Sequence, residues 1–249
     1  MSQVLFLAMH GPAFSGKDTV CTLLSGMAKR EVTIIEARFA EPIYTMIRTR
    51  VPEANSRMTK EEKECHRAEL GGISIRQMAV GIGEGARQAD PEVWINLWSR
   101  KCLDDVVDCL LRGATHVLVL VPDLRKEGER KAFMDLPMRL QTVIQEAFPH
   151  RAAEIATAAH VIHVRAVEAP ENAQFNAATE TALGVQNHES LLINDHSKGM
   201  VNLSREVGHL ARTLPGRIGH LSSEMLDEAL WIDAFDRGQW REKYDGRRL

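Results

Sequence analysis

The chain is poor in cysteine and contains no long hydrophobic run. Its four cysteines are spread over 249 residues, and no two of them form a C-x-x-C pair. This spacing favours neither a disulfide scaffold nor a metal site, so we expect reduced thiols in a cytoplasm. The first apolar segment, residues 4–9, is too short for a signal peptide or a membrane span, and no later segment could span a bilayer. We therefore expect a soluble intracellular protein without a membrane partner.

An excess of charge of one sign is also lacking. Lysine and arginine number 31, aspartate and glutamate 34, and the formal net charge is −3. This balance provides no overall attraction to nucleic acid or to an anionic membrane and leaves only a local basic pocket open. The length fits one α/β domain with elaborations, and a hydrophobic fraction of 44% is ordinary for a soluble globular protein.

Apolar segments of strand length alternate with helical segments along the chain. Strands are predicted at residues 4–9, 33–39, 116–121, 160–165 and 191–193, and the principal helices at 17–29, 43–50, 75–83, 91–112 and 202–214. The strand segments are rich in Val, Ile and Leu without polar alternation, which is typical of a parallel sheet covered on both faces. The pattern predicts a three-layer α/β fold with a five-stranded, mostly parallel sheet, and ligands at the carboxyl ends of its strands.

The residues directly after the first predicted strand form a phosphate-binding motif. Residues 11–19 read GPAFSGKDT and match G-x-x-x-x-G-K-[ST], except that Asp18 precedes Thr19. In such a loop the glycines let the backbone approach a ligand, and successive N–H groups form an anion nest at a helix N-terminus. The ammonium of Lys17 can bridge the β- and γ-phosphates. The residues expected to hold the nucleotide are Gly11, Ala13, Phe14, Ser15, Gly16, Lys17, Asp18 and Thr19.

Two acids are candidate magnesium ligands. Asp18 stands where a hydroxyl usually holds Mg²⁺, so its carboxylate could hold the ion directly or through water, or Thr19 could serve instead. Asp123 follows the apolar strand at residues 116–121 and is expected beside the loop, where it suits contact with the metal or with a phosphoryl acceptor. The alternative for Asp123 is a helix N-cap.

Several arginines are candidates to bind phosphate groups. Arg76 and Arg87 bracket an apolar helical turn and a glycine-rich stretch, and a guanidinium group pairs bidentately with a phosphate. Both are therefore predicted to hold an acceptor phosphate. Arg38, Phe39 and Pro42 are candidates for an acceptor base pocket, although an aromatic residue such as Phe39 is more often part of the core. Arg165 and Asn194, at predicted strand ends, are candidates for the donor nucleotide, and a plain surface charge is the alternative for Arg165.

These segments, taken in order, resemble the deoxynucleoside monophosphate kinases of tailed bacteriophages. The resemblance runs from about residue 3 to 212 and is carried by the loop, by residues 38–43 (RFAEPI), by the stretch from Arg76 and Gln77 to Trp94, by residues 122–125 with Glu129, and by residues 161–165 and 193–195. It implies a P-loop kinase fold with an acceptor-binding insertion and a lid, ATP with Mg²⁺ as donor, and a deoxynucleoside 5′-monophosphate as acceptor.

The resemblance also implies roles for individual residues. Lys17 and the loop amides would hold the donor phosphates, and Asp123 would position the acceptor or the metal. Arg76, Arg87 and Arg125 would hold the acceptor and the transferring group. Further substrate-binding candidates that it implies are Gln77, Trp94 and Glu129. The chain departs from the family in a longer stretch between Glu129 and the fourth strand, and in the scarcity of arginine at residues 166–190, where a lid normally supplies cations.

The domain organisation is expected to follow from this resemblance. We predict a kinase domain at residues 1–215, with an acceptor-binding region at about 43–112 and a lid or loop at about 166–190. Within the acceptor region, the charged residues 51–72 carry helix-start signals around Thr59 and Glu62. Residues 216–249 are predicted to be a C-terminal helical extension, amphipathic around 224–235, which packs on the core or forms an oligomer contact such as a homodimer interface.

The expected activity is ATP-dependent phosphoryl transfer to a deoxynucleoside monophosphate, which gives the diphosphate. One alternative keeps the fold but accepts a hydroxymethylated pyrimidine (5-hydroxymethyluracil), as a nucleotide or within phage DNA. A hydroxyl acceptor would need a base such as Asp123 or Glu41, and DNA is a partner only under this alternative. The second alternative is a P-loop NTPase or nucleotide-binding regulator that is not a kinase.

Overall fold

The computed structural model describes residues 1–167, 183–214 and 221–227, and these residues form an α/β fold around a five-stranded sheet. Its strands are β1 (Ser2–His10), β2 (Val32–Glu36), β3 (His116–Leu124), β4 (Ile155–Ala166) and β5 (Ser190–Asn194). The strand order is β2-β3-β1-β4-β5, and every pairing in it is parallel. The predicted α/β class and five-stranded sheet are confirmed, and all strands of the sheet are parallel.

Helices cover both faces of this sheet. They are α1 (Lys17–Met27), α2 (Glu41–Ile47), α3 (Lys60–Glu64), α4 (Ile75–Ala89), α5 (Val93–Leu111), α6 (Glu127–Met134), α7 (Leu136–Ala147), α8 (Pro149–Ala152), α9 (Gly199–Thr213) and α10 (Leu221–Met225), with 3₁₀ turns at Ala68–Leu70 and His196–Lys198. The sequence had indicated no helices for α6 to α8, which fill the long stretch between Glu129 and the fourth strand.

The central strand β1 explains the two main cores, because successive residues of a strand point to opposite faces. Leu5, Leu7 and Met9 pack with α1 and α9 on one face. Val4 and Phe6 pack with α5 and α7 on the other. All five side chains are fully buried, so neither face of the strand is polar. The result is the predicted three-layer arrangement, in which the carboxyl end of β1 lies at the middle of the sheet.

A smaller hydrophobic cluster lies apart from these two cores, within the predicted acceptor-binding region. It brings together α2, α4 and the start of α5 through residues such as Tyr44, Ile47 and Trp94. The charged insertion contributes α3, whose start at Thr59 is fixed by a reciprocal capping box with Glu62, as the helix-start signal predicted. This region therefore presents its own helices beside the edge strand β2.

The predicted C-terminal extension packs on the core over the part that the structure describes. Met225 and Leu226 are buried, and Leu226 forms a bridge with Ala28 after α1. The backbone N–H of Lys29 donates to the carbonyl of Met225, and that of Asp227 donates to Met27. Residues 216–220 and 228–249 of the extension lie outside the described residues, as do residues 168–182 of the predicted lid.

Among the helices that the structure describes, none combines the length and the apolar composition that crossing a bilayer requires.

Candidate functional site

The loop between β1 and α1 has the backbone conformation that its glycines predict. Gly16 adopts φ 95° directly before α1 begins, a conformation that residues with a side chain rarely adopt. A Cβ atom at Gly16 would lie 2.5 Å from Nδ2 of Asn194, and one at Gly11 would lie 2.2 Å from the carbonyl oxygen of Val164. Neither position has room for a side chain. Phe14, at the outer bend, has φ 63° and is exposed.

The side chains of the loop face its own backbone. Nζ of Lys17 donates to the carbonyl oxygens of Gly11, at 2.7 Å, and Pro12, at 2.6 Å. The Ser15 hydroxyl is 1% exposed and has no hydrogen-bond partner among the described residues. A buried hydroxyl without an acceptor is costly, and a phosphate oxygen in the loop would be a suitable acceptor. The loop therefore offers backbone N–H groups, an ammonium and an unsatisfied hydroxyl to an anion.

The last strand of the sheet contacts this loop directly. Asn194, the final residue of β5, is buried, and its Nδ2 donates to the carbonyl oxygen of Ser15 at 3.0 Å. Arg165 lies near the end of β4 and is exposed. The structure thus places both predicted donor-side residues at the carboxyl edge of the sheet, and it brings Asn194 into contact with the loop through the backbone.

Asp18 belongs to a charged chain that leads from α1 to the edge strand. Its exposed carboxylate forms an ion pair with Arg38, whose Nε also donates to Glu36 at 2.6 Å. Burial alone would lower the pKa of Arg38. The negative charges of Asp18, Asp123 and Glu36 outweigh this effect, so the pKa is raised. Arg38 therefore stays charged while it lies between the phosphate loop and the acceptor region.

Asp123 lies within β3 and organises the backbone after β2. Its two carboxylate oxygens accept from the backbone N–H groups of Phe39, at 2.8 Å, and Ala40, at 3.2 Å. The carboxylate is 5% exposed. The next helix begins at Glu127, so the alternative that Asp123 caps a helix is not realised. Asp123 instead fixes the turn that carries Arg38 beside the loop.

Glu129 has a comparable role in the turn after β3. It is 5% exposed, and its Oε2 accepts from the backbone N–H groups of Arg125, at 2.7 Å, and Lys126, at 3.1 Å. Burial, with a smaller contribution from the negative charge of Asp123, raises the pKa of Glu129 to about 7. In this structure Glu129 holds the turn that presents Arg125, and its direct contact with a substrate stays a prediction.

Cations from three separate segments face the acceptor region. These cations are Arg76 in α4, Arg125 after β3 and Lys63 in α3. The positive charges of Arg76 and Arg125 influence the pKa of Lys63 and also that of Tyr44, so the three cations lie in one electrostatic environment. Nζ of Lys63 lies 5.5 Å from the centre of the Tyr44 ring. No sequence pattern singles out Tyr44 or Lys63, because Tyr44 resembles an ordinary core aromatic and Lys63 is one of several charges in the run KEEKE.

Arg76 and Arg87 are separated by the helix that carries both. Helix α4 continues through its glycines to Ala89, so these arginines lie about 16 Å apart along its axis at 1.5 Å per residue. Arg87 forms an ion pair with Glu84 at 2.7 Å. Arg76 is the one of the two that influences the pKa values of Tyr44 and Lys63. The role of Arg87 stays a prediction.

Other predicted substrate residues are engaged in packing or capping. Phe39 stacks on Trp98 with ring centres 3.7 Å apart, and both rings are buried. Trp94 is 5% exposed and donates from Nε1 to the carbonyl of Gly83. Gln77 accepts from the backbone N–H of Ser74 in a capping box. In this conformation these side chains support the fold around the site. Pro42 lies in the first turn of α2, where its fixed φ suits a helix start.

The residue immediately before the loop, His10, takes part in a buried network that the sequence did not indicate. Its Nδ1 lies 3.0 Å from the carbonyl oxygen of Leu124, and its Nε2 accepts from the backbone N–H of Leu183 at 3.2 Å. Nearby, Nε2 of His163 lies 2.7 Å from the carboxylate of Glu189, which also faces Arg130 at 3.6 Å. These contacts attach residues 183–189 to the sheet beside the loop.

The acids near the phosphate loop are the residues that could help to hold Mg²⁺. Among residues 1–167, 183–214 and 221–227, no three His, Cys, Asp or Glu side chains are grouped to hold a metal. Mg²⁺ usually takes one or two carboxylates together with water and substrate phosphates, so such a group is not required. Asp18 fits this role because it is exposed beside Lys17, although it would share its carboxylate with Arg38. Asp123 fits less well because both of its oxygens already accept backbone hydrogen bonds.

The chain has little detectable similarity to known proteins. No protein-family model and no curated protein sequence matches this chain. Among solved structures, a similar chain is an unliganded sugar kinase from Janibacter sp. HTCC2649, with 12% sequence identity, 89% of this chain and 98% of that chain covered, and a TM-score of 0.35. A similarity this weak supports no inference about what the chain acts on.

Proposed function

We propose that the chain transfers the terminal phosphoryl group of ATP to the phosphate of a deoxynucleoside 5′-monophosphate. The observation that carries this proposal is the loop between β1 and α1. It has a left-handed Gly16, no space for a side chain at Gly11 or Gly16, and Lys17 at the start of the following helix. Backbone N–H groups at a helix N-terminus and an adjacent ammonium are suited to polyphosphate.

The residues around the loop suit an acceptor that itself carries a phosphate. Arg76, Arg125 and Lys63 face one region next to Arg38, which lies against Asp18 of α1. Positive charge on the acceptor side, together with Lys17 on the donor side, would position two anionic groups for in-line transfer. A phosphate acceptor is already ionised at neutral pH, so these residues need to bind and orient but not to remove a proton. Mg²⁺, when bound, would supply positive charge to the donor phosphate oxygens.

The two acids that could activate a hydroxyl acceptor are poorly suited to that task. Burial raises the pKa of Glu41, but the hydrogen bond from Ser56 and the ion pair with Arg48 outweigh it, so the net pKa is lowered. A carboxylate with a lowered pKa is a weaker base. Asp123 is committed to two backbone N–H groups. These contacts favour a phosphate acceptor over a hydroxymethyl group.

The proposal is tested by a coupled assay of ADP release with and without the four common deoxynucleoside 5′-monophosphates. A 5-hydroxymethyluracil nucleotide and DNA that contains this base are included as competing acceptors. We expect release to depend on a monophosphate, and Lys17→Ala to abolish it. Lys131→Ala, an exposed charge removed from α6, is the matched control and should behave as wild type. Release that is indifferent to every acceptor would instead indicate an NTPase.

The acceptor side is tested by comparing two arginines of the same helix. Because Arg76 lies near Tyr44 and Lys63 whereas Arg87 is paired with Glu84, we expect Arg76→Ala to raise the acceptor KM more than Arg87→Ala does. The KM for ATP should change little in either variant. Equal acceptor kinetics in both variants and in wild type would remove the basis for this assignment.

A further inference from the structure

Three cations around Tyr44, namely Lys63, Arg76 and Arg125, differ from several neighbouring arginines in forming no ion pair with an acid in the part of the chain that the structure describes. Arg38, Arg48, Arg57, Arg67 and Arg87 each form an ion pair with an acid. In contrast, no carboxylate within the described ranges lies within 4.0 Å of the side-chain nitrogens of Lys63, Arg76 or Arg125. Three neighbouring positive charges that form no ion pair within the described residues are suited to an external anion.

Lys63 is held in this region by its surroundings. It lies in α3, whose first turn is fixed by the capping box between Thr59 and Glu62. Its Nζ donates to the carbonyl oxygen of Ser56 at 2.7 Å and lies 5.5 Å from the centre of the Tyr44 ring. An ammonium has three N–H donors, and one carbonyl satisfies one of them. Lys63 therefore has N–H donors available for a ligand.

We propose that Lys63 is a specificity-determining residue that binds the phosphate group of the acceptor. This inference rests on the proposed function and adds a residue from the charged insertion to its acceptor site. The ligand class is a phosphate monoester, whose two negative charges and three equivalent oxygens match the ammonium of Lys63 together with the guanidinium groups of Arg76 and Arg125. A nucleoside without the phosphate would gain nothing from this residue.

The electrostatic surroundings of Lys63 make this binding sensitive to pH. Burial, and then the positive charges of Arg38, Arg125 and Arg76, lower the pKa of Lys63 to about 8, whereas Asp18 acts in the opposite direction. Tyr44, which faces the ammonium, has a raised pKa because it is buried. In the free protein Lys63 therefore loses its charge as the pH rises through about 8, and a bound dianion would favour the protonated form.

The experiment compares Lys63→Met, Lys63→Arg and Lys60→Met with wild type. Lys60 is an exposed lysine at the start of the same short helix, so its replacement removes the same charge from α3. Since a hydrogen bond to a charged group contributes about 1.5–3 kcal/mol, we expect Lys63→Met to raise the acceptor KM by about 10-fold or more. The KM for ATP should stay within about twofold of wild type. Lys63→Arg should retain most of the acceptor affinity, and Lys60→Met should match wild type.

The pH dependence of kcat/KM for the acceptor distinguishes phosphate binding by Lys63 from a purely structural role. For wild type, kcat/KM for the acceptor should fall above about pH 8, while that of Lys63→Arg should stay level because its guanidinium remains charged. If Lys63→Met leaves the acceptor KM unchanged, the inference is wrong. It is also wrong if Lys63→Met raises both KM values and lowers the unfolding temperature, since Lys63 would then support the fold.

Binding measurements separate this inference from the proposed function. Titration calorimetry of the protein with inorganic phosphate and with each deoxynucleoside monophosphate requires no turnover. If wild type transfers no phosphoryl group but binds these anions, and Lys63→Met reduces their affinity about 10-fold, the proposed function fails while the anion site stands. If wild type turns over monophosphates and the variant binds them equally well, only the role of Lys63 is overturned.

Discussion

The side-chain amide of Asn194 donates to the carbonyl oxygen of Ser15 at 3.0 Å, which joins the end of the last strand to the phosphate loop after the first. The same amide is the group that a Cβ atom on Gly16 would meet at 2.5 Å. Asn194 thus fits closely against two consecutive residues of the loop. Because the contact is made to the backbone, it affects the loop conformation rather than one ligand-binding side chain.

Asn194→Ala is expected to weaken the binding of the donor nucleotide. The variant loses a buried hydrogen bond that contributes about 0.5–1.5 kcal/mol, so the KM for ATP should rise about 3- to 10-fold. The KM for the acceptor should be unchanged because Asn194 lies on the side of the loop opposite to β2 in the strand order. Steady-state kinetics with each substrate varied in turn provide the measurement.

The control for this variant is Asn96→Ala, which removes an exposed amide from α5. It should leave both KM values as in wild type. If Asn194→Ala were as active as the control, the contact to Ser15 would have no part in forming the loop, and the strand end would be only a neighbour of the site.

Gly16→Ala should abolish nucleotide binding, whereas Gly113→Ala should not. Both glycines have a left-handed conformation, with φ 95° and 92°, so each alanine would be strained by about 1–2 kcal/mol. Only Gly16 has an atom within contact distance of the added Cβ, since nothing lies within 4 Å of that position at Gly113. Comparing the two variants separates backbone strain from the loss of space beside Asn194. Calorimetric titration with magnesium and ATP gives the affinity, and thermal unfolding gives the shared cost of strain.

The strands of the sheet can be predicted from local sequence alone. The strands were predicted because their residues are apolar without alternation, and all five are present. Strand β4 begins at Ile155, ahead of the expected 160, because Ala156, Thr157 and Ala158 are too weakly apolar to mark a strand. Helix α4 was expected to end at Gly83 but continues, since Gly83 packs closely against Ile43 and accepts a hydrogen bond from Trp94.

The phosphate loop could be predicted because its residues are contiguous, whereas the rest of the site depends on contacts between distant segments. The proximity of Lys63 to Arg125, and of His10 to Leu183, follows from the packing of separate elements. No local pattern distinguishes Lys63 from the other charges of α3. The aromatic Phe39 was predicted to be either core or pocket, and its stacking on Trp98, which only the fold reveals, makes it core.

Glu129→Gln is expected to remove a pH dependence of stability. The folded protein raises the pKa of Glu129 to about 7 from 4.5, so the protonated carboxyl is favoured by folding. The stability that this group contributes is therefore fully present below about pH 4.5 and is lost as the pH rises through about 7. Relative to Glu129→Gln, wild type should become more stable by about 2 kcal/mol between pH 8 and pH 5.

Urea unfolding of both proteins at several pH values measures this difference. The glutamine can still accept from the backbone N–H groups of Arg125 and Lys126, so the turn should be retained. Glu146→Gln, which removes an exposed carboxylate from α7, is the control and should show no such trend. A constant difference between wild type and Glu129→Gln at all pH values would contradict the raised pKa.

His10 is expected to confer the opposite pH dependence. Its imidazole must be neutral, with the proton on Nδ1, because the carbonyl of Leu124 can only accept and the N–H of Leu183 can only donate. Burial, with the nearby positive charge of Lys17 and Arg130 and the ring of His163, lowers its pKa to about 4 against the opposing hydrogen bond to Leu124. The stability that neutral His10 contributes is therefore present above about pH 6.5 and is lost as the pH falls towards 4.

His10→Asn, which retains one amide that could donate to Leu124, should be less stable than wild type at pH 7.5. That difference should shrink by about 2 kcal/mol at pH 5, because by then wild type has lost the contribution of its neutral imidazole. His209→Asn, an exposed histidine in α9, is the matched control and should show a constant difference. If the His10 and His209 variants followed wild type in parallel from pH 7.5 to pH 5, His10 would titrate normally, and its contacts to Leu124 and Leu183 could not be those of a permanently neutral ring.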